Sequence, residues 1–169
     1  MAILNTDLVL RLSGGAANAD PNASLGGAKS STAVTDNSIN NFWDNISGTE
    51  SNDGDTEYRC GYIHNANATL TAENVRIYIS TDTTSATEEV DIGLGTAAIN
   101  ATEQTVANES TAPSGVTFSH PQTYAAGLVS ANIPAGQHRS VWFKRVVDSG
   151  TAAKNNNTYV LKCDCDTPE

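Results

Sequence analysis

Along much of this chain apolar and polar residues alternate, the period of half-buried β-strands. Leu8, Leu10 and Leu12 fall on one side of an opening segment, with Asp7, Val9 and Arg11 on the other. Tyr58, Cys60 and Tyr62 share one face of a stretch ending at His64; Val75, Ile77 and Ile79 share another, and Val90, Ile92 and Leu94 a third. Val116-Thr117-Phe118 predicts a short strand. Val141 to Val147, rich in β-branched and aromatic residues, predicts the strongest, and Tyr159 to Cys163 the last. Turn signals separate them. Ser51-Asn52-Asp53-Gly54-Asp55-Thr56 is the densest, and Asn155-Asn156-Asn157 opens the final one. Ile133-Pro134-Ala135-Gly136 has Pro second and Gly fourth, which suits a type I turn. No stretch carries a convincing amphipathic helical period, and there is no short internal repeat.

Short strands punctuated by turns predict an all-β chain, an antiparallel β-sandwich of immunoglobulin-like or jelly-roll-like kind. The expected organisation is an N-terminal strand over 1–12, an irregular Gly/Asn/Ala-rich arm or loop over 13–41, a sandwich domain over 42–163 and an acidic tail over 164–169. The arm contains Gly14-Gly15, Gly26-Gly27 and Asp20-Pro21 among many Ala, Asn and Ser residues. It offers little to bury, so it reads as a mobile linker or as an arm laid over a neighbouring subunit. Large apolar groups return at Phe42, Trp43 and Ile46, which reads as the place where the arm is pinned to the core. Leu25, Gly26, Gly27, Phe42 and Trp43 are the candidate partner-binding residues.

Composition strengthens the all-β reading, since Asn, Thr, Ser and Gly disfavour long helices. Nine Lys plus Arg stand against nineteen Asp plus Glu, a net charge of -10. That balance argues against nucleic acid, whose phosphates require basic side chains, and against anionic membrane surfaces. The first residues lack the basic and apolar regions of an export signal, and no apolar run is long enough to span a membrane. Synthesis in a cytoplasm is the expectation.

Candidate chemistry is sparse. His64, His120 and His138 each sit near a strand end or turn without a second ligand at chelating spacing. Asp53, Asp55 and Glu57 surround a glycine and are weak calcium candidates, although their spacing is not that of an EF-hand loop. Three cysteines argue against a closed disulfide framework. Cys60 reads as a buried strand residue, and Cys163 and Cys165 as part of the solvated tail, with no second ligand pair for zinc. No nucleophile elbow, phosphate loop or catalytic triad spacing occurs, so no catalytic residue and no cofactor is expected. Sequons such as Asn67-Ala68-Thr69 are what chance gives in a chain this rich in Asn and Thr.

Four stretches resemble a known class. Asp53-Gly54-Asp55-Thr56-Glu57-Tyr58-Arg59-Cys60, Asn74-Val75-Arg76-Ile77-Tyr78-Ile79, Thr111-Ala112-Pro113-Ser114-Gly115-Val116-Thr117-Phe118, and Ile133-Pro134-Ala135-Gly136-Gln137 before Val141-Trp142-Phe143-Lys144-Arg145 are similar to the small β-sandwich proteins encoded among head genes of tailed bacteriophages. The resemblance runs from Phe42 to Cys163. It implies a non-enzymatic capsid decoration (cement) protein of the virion that binds the major capsid protein or other virion subunits. It also implies a homo-oligomer, in that class often a trimer at capsid three-fold positions. The alternative is an immunoglobulin-like or carbohydrate-binding module on a phage tail or fibre. A shared exposed platform of Trp43 and Tyr124 would favour glycan binding, and a buried Trp43 the cement role.

Overall fold

The computed structural model describes residues 2–152 and 156–167. Among the described residues nine strands form three antiparallel sheets: β1 (Leu8–Leu12), β2 (Gly26–Gly27), β3 (Asp55–Asn65), β4 (Glu73–Thr81), β5 (Glu88–Leu94), β6 (Glu103–Thr105), β7 (Leu128–Val129), β8 (His138–Val147) and β9 (Val160–Asp166). A four-stranded sheet has the order β1-β3-β8-β5, and a three-stranded sheet the order β7-β4-β9. The chain passes from β3 to β4 and back to β5, so successive strands alternate between these sheets. Their facing sides enclose the main core. The fold is an all-β antiparallel sandwich.

Strand alternation decides which residues fill that core. Leu12, Ile63, Val90, Ile92, Val141 and Phe143 point inward from the larger sheet and meet Val75, Ile77 and Ile79 from the smaller one, all nearly inaccessible. Phe42 and Trp43 close the same core; Phe42 packs edge-on against Phe143 with ring centroids 4.7 Å apart. The opposite face of the larger sheet is also covered. Cys60, Tyr62 and Trp142 form a second buried cluster beneath Leu25, Val106, Val116 and Phe118. The predicted grouping of Tyr58, Cys60 and Tyr62 is therefore present, but their face points away from the main core.

Part of this cover, Leu25, comes from the segment expected to be an arm. Residues 13–35 fold back on their own sandwich. Ser30 N donates to Leu12 O, Leu12 N to Thr32 O and Val34 N to Leu10 O, which sheathes the free edge of β1. Where β1 stops alongside β3, Cys60 N donates to Ser24 O and Tyr58 N to Glu109 O. The segment buries serines, each satisfied locally. Ser13 Oγ accepts from Gly26 N at 3.1 Å, and Ser30 Oγ donates to Asn18 O at 2.5 Å. Gly26 is required here. Its φ is 95°, and a Cβ would lie 1.8 Å from the Gln104 carbonyl oxygen across the β2–β6 pair. Glycine serves close backbone packing in this segment.

Four further expectations change. Residues 116–118 form no strand; their neighbour Ser119 exchanges a single pair of backbone bonds with Ile92 as the segment crosses the edge of β5. The turn before β8 starts one residue later than expected. Gln137 N donates to Pro134 O, with Gly136 third at φ 73°, the position where a type II turn needs glycine. Residues 164–166 continue β9, so Cys163 and Cys165 are half-buried strand residues packed on the core. A short helix, α1 (Gly48–Asp53), occupies part of the predicted turn. Ser47 and Glu50 cap it reciprocally. Of the Asn155-Asn156-Asn157 turn, Asn155 lies outside the described residues.

Candidate functional site

The strongest concentration of chemistry lies where the loop after residue 35 enters the sandwich. Glu57 and Arg145 are directly opposed on β3 and β8, both pointing into the space between the sheets. Both are nearly inaccessible. Arg145 Nε donates to Glu57 Oε2 at 2.5 Å, Nη1 to the Asp44 carbonyl at 2.9 Å and Nη2 to Asp44 Oδ1 at 3.2 Å. Two residues along β3, the fully buried Arg59 pairs with Glu109 Oε2 at 2.5 Å and donates to Asn22 Oδ1 at 3.2 Å. The Trp43 ring is bracketed by both guanidinium groups, 5.0 Å from Arg145 and 5.5 Å from Arg59. Its Nε1 donates to the Tyr159 hydroxyl at 3.3 Å.

Burial pushes the Glu57 carboxyl up from its usual range, and the Arg145 guanidinium pulls it back only in part. A cavity of about 300 Å³ beside this network is lined by Asn22, Leu25, Asp44, Ala107, Asn108 and Glu109. Oxygens of Asp44, Glu57 and Glu109 lie close enough together to suggest a cation. Two buried arginines already occupy that position, and each neutralises one or more of these carboxylates. The arrangement ties three distant segments together. Residues 22, 43–44 and 109 are all fastened to the two central strands through it.

A second cluster lies at β5. His120 shares a hydrogen bond of 2.8 Å through Nδ1 with the Val90 carbonyl, and its Nε2 lies 3.3 Å from Asp82 Oδ2. Glu89, Asp91 and His120 are close enough to share an ion. Lys144, however, reaches across from β8 to Asp91 Oδ2 at 2.5 Å. A metal ion there would have to displace an ammonium group already paired.

The expected site residues are distributed differently. Of the calcium candidates, Asp53 is exposed at the end of α1, Asp55 accepts from its neighbour Thr56 N, and Glu57 is committed to Arg145. They form no common site. Phe42 and Trp43 are core residues, and Gly26 is buried beneath its own loop, so these three offer no contact surface. Leu25 and Gly27 are half-buried. Trp43 and Tyr124 share no platform. Tyr124 lies instead on the outer side of the three-stranded sheet, its ring 6.5 Å from Tyr78 and 5.7 Å from the Arg76 guanidinium. Sequence reading passed over Arg59 and Arg145, although both sit at positions where strand alternation demands an inward side chain.

Compared with protein-family models, with curated proteins and with solved structures, the chain finds no match. No helix among the described residues is long and apolar enough to cross a membrane.

Proposed function

We propose that the chain is a non-enzymatic structural subunit of a virion, a capsid decoration protein that covers part of an assembled phage head. The observation that carries this reading is the outer side of the three-stranded sheet. Val129 and Val160 are 58% and 45% exposed at its two edge strands, and Tyr124 is 45% exposed beside them. Arg76 and Asp164, paired in register on β4 and β9, belong to the same side. An apolar patch rimmed by mixed charge is the composition of a protein–protein contact surface. The buried Trp43 supports the cement reading over the glycan-binding one, because its ring faces the two arginines.

The contact surface in this proposal is the β7-β4-β9 face, not the segment over 13–41. Cryo-electron microscopy of virions, with co-sedimentation of the purified chain and heads lacking it, tests the proposal. Val129→Glu and Val160→Glu should each lower head association by about tenfold or more, the factor set by losing one good apolar contact. Their thermal unfolding should match the parent. Full occupancy by both variants, or absence of the chain from the particles, would overturn the reading. Light scattering of the free chain reports whether it is already a trimer.

A further inference from the structure

One cluster lies outside everything described so far. On the face of the larger sheet that points away from the main core, Arg11 of β1 stands opposite Tyr62 of β3. His64 of β3 stands opposite His138 of β8 on the same face. Directly opposed residues on antiparallel strands have Cβ atoms about 4.5–5.5 Å apart, and diagonal neighbours are within reach of long side chains. Lys29 arrives from the covering loop, which is held there by the Tyr62 hydroxyl donating to Gly27 O at 2.5 Å. The His138 ring packs edge-on against Tyr62 with centroids 4.8 Å apart.

Four basic side chains from four segments therefore converge, and none has a carboxylate partner. Among the described residues, no ion pair involves Arg11, Lys29, His64 or His138. Glu103 of β6, whose backbone N–H donates to the Tyr62 hydroxyl, has its carboxylate already held by Ser140 Oγ at 2.6 Å and Ala97 N at 3.0 Å. Three buried nitrogens in the cluster have no hydrogen-bond partner: Arg11 Nε, His64 Nδ1 and His138 Nδ1. Buried polar nitrogens without partners are rare and costly. Their coincidence with uncompensated positive charge, on a chain of net charge -10, needs a common cause.

We infer that Arg11, Lys29, His64 and His138 form a binding site for a tetrahedral oxyanion of the inorganic phosphate class. Arg11 and Lys29 supply fixed positive charge and N–H donors, and the two imidazoles supply donors whose number rises when they are protonated. The free site suppresses that protonation. Burial lowers both histidines, and Lys29 repels a proton on either ring, joined by Arg11 at His64. A bound dianion reverses this, so binding takes up protons and tightens as pH falls. The inference does not depend on a virion role.

The test is NMR titration of the intact chain with sodium phosphate at pH 6.0 and 7.5, against sodium chloride at matched ionic strength. Saturable shifts of the His64 and His138 ring resonances are expected with phosphate and with sulfate, and for sulfate, a dianion at both pH values, the affinity should be at least threefold tighter at pH 6.0. Sulfate should compete. Lys29→Gln, a half-buried loop position, and Arg11→Gln should each weaken phosphate tenfold, while Lys162→Gln on the exposed side of β9 should not. The amide spectrum of each variant checks that it is folded. Shifts no larger than those from chloride, or unchanged affinity in both Lys29→Gln and Arg11→Gln, would overturn the site. A response to acetate but not to phosphate would also overturn it, since it would assign the cluster to a carboxylate of a protein partner.

Discussion

Replacing Arg145 with methionine should be among the most damaging single changes in this chain. Methionine approximates the length of the arginine stem and leaves little cavity, so the loss isolates the charge. Glu57 is 2% exposed, and Arg145 Nε donates to it at 2.5 Å. Its carboxylate has no other cation as near: Arg59, the second positive group acting on it, is committed to Glu109. Leaving one partner of a buried pair uncompensated costs about 3–5 kcal/mol. For a domain of this size about 2–4 °C of melting temperature accompanies each kcal/mol, so the midpoint should fall by about 6–20 °C. Total stability in this size class is only about 5–15 kcal/mol. The assay is thermal unfolding by circular dichroism at pH 7.5, with Glu57→Gln and the double variant completing a cycle. If the stranded charge is the cause, Glu57→Gln added to Arg145→Met should restore part of the lost stability. The deficit should also shrink as the pH is lowered and Glu57 takes up a proton. A loss below about 1 kcal/mol, or a double variant no better than Arg145→Met alone, would refute the assignment.

Gly26→Ala should cost more than about 2 kcal/mol in urea unfolding, because its Cβ would meet the Gln104 carbonyl 1.8 Å away; Gly15→Ala, with positive φ but open space, should cost about 1 kcal/mol. His64 and His138 bind protons less tightly folded than unfolded, so stability should be full above about pH 6.5 and fall as the pH drops below it. Chemical denaturation at pH 7.5 and 5.5 reads the difference, which His64→Asn with His138→Asn should flatten. Calcium at millimolar concentration should leave the melting temperature unchanged, since Asp53, Asp55 and Glu57 share no site. All three thiols should resist alkylation in the folded chain at pH 8, because burial raises each of them, Cys163 to about 12.

The long strands were legible because a half-buried strand writes its faces into the sequence with period two. Leu8 to Leu12, Val75 to Ile79 and Val90 to Leu94 all read correctly for that reason. The strands at Gly26–Gly27, Glu103–Thr105 and Leu128–Val129 are too short to carry a period. The helix at Gly48–Asp53 did leave a signature, the Ser47–Glu50 capping pair, which Asp53-Gly54-Asp55 obscured. The charge network was half visible. Glu57 and Arg59 have the parity of Ile63, so all three point to one side of β3, and charges on that side signal burial. Which partners neutralise them depends on the register between β3 and β8 and on loops far away in sequence. The loop over 13–41 misled because its burial is of backbone and serine hydroxyls, and hydropathy does not register these.

That misreading has a consequence for where a partner can sit. The larger sheet is covered on both faces: by the smaller sheet over Ile63, Ile92 and Phe143, and by the loops over Cys60, Tyr62 and Trp142. The smaller sheet is covered on one face only, which is why Val129 and Val160 stay exposed. The uncovered face is therefore the β7-β4-β9 side, and the loop over 13–35 serves as part of the fold. Its removal would strip Leu25 from the cluster of Cys60, Tyr62 and Trp142, take the Gly27 carbonyl from the Tyr62 hydroxyl, and strip the hydrogen bonds from the edge of β1. Burying one aromatic side chain contributes about 1.5–3 kcal/mol, so uncovering even part of Tyr62 and Trp142 cuts into a narrow margin. A chain lacking residues 14–34 should consequently lose its cooperative melting transition and bind a hydrophobic dye. A truncated chain that melted cooperatively within a few degrees of the parent would mean that the loop is an appendage after all.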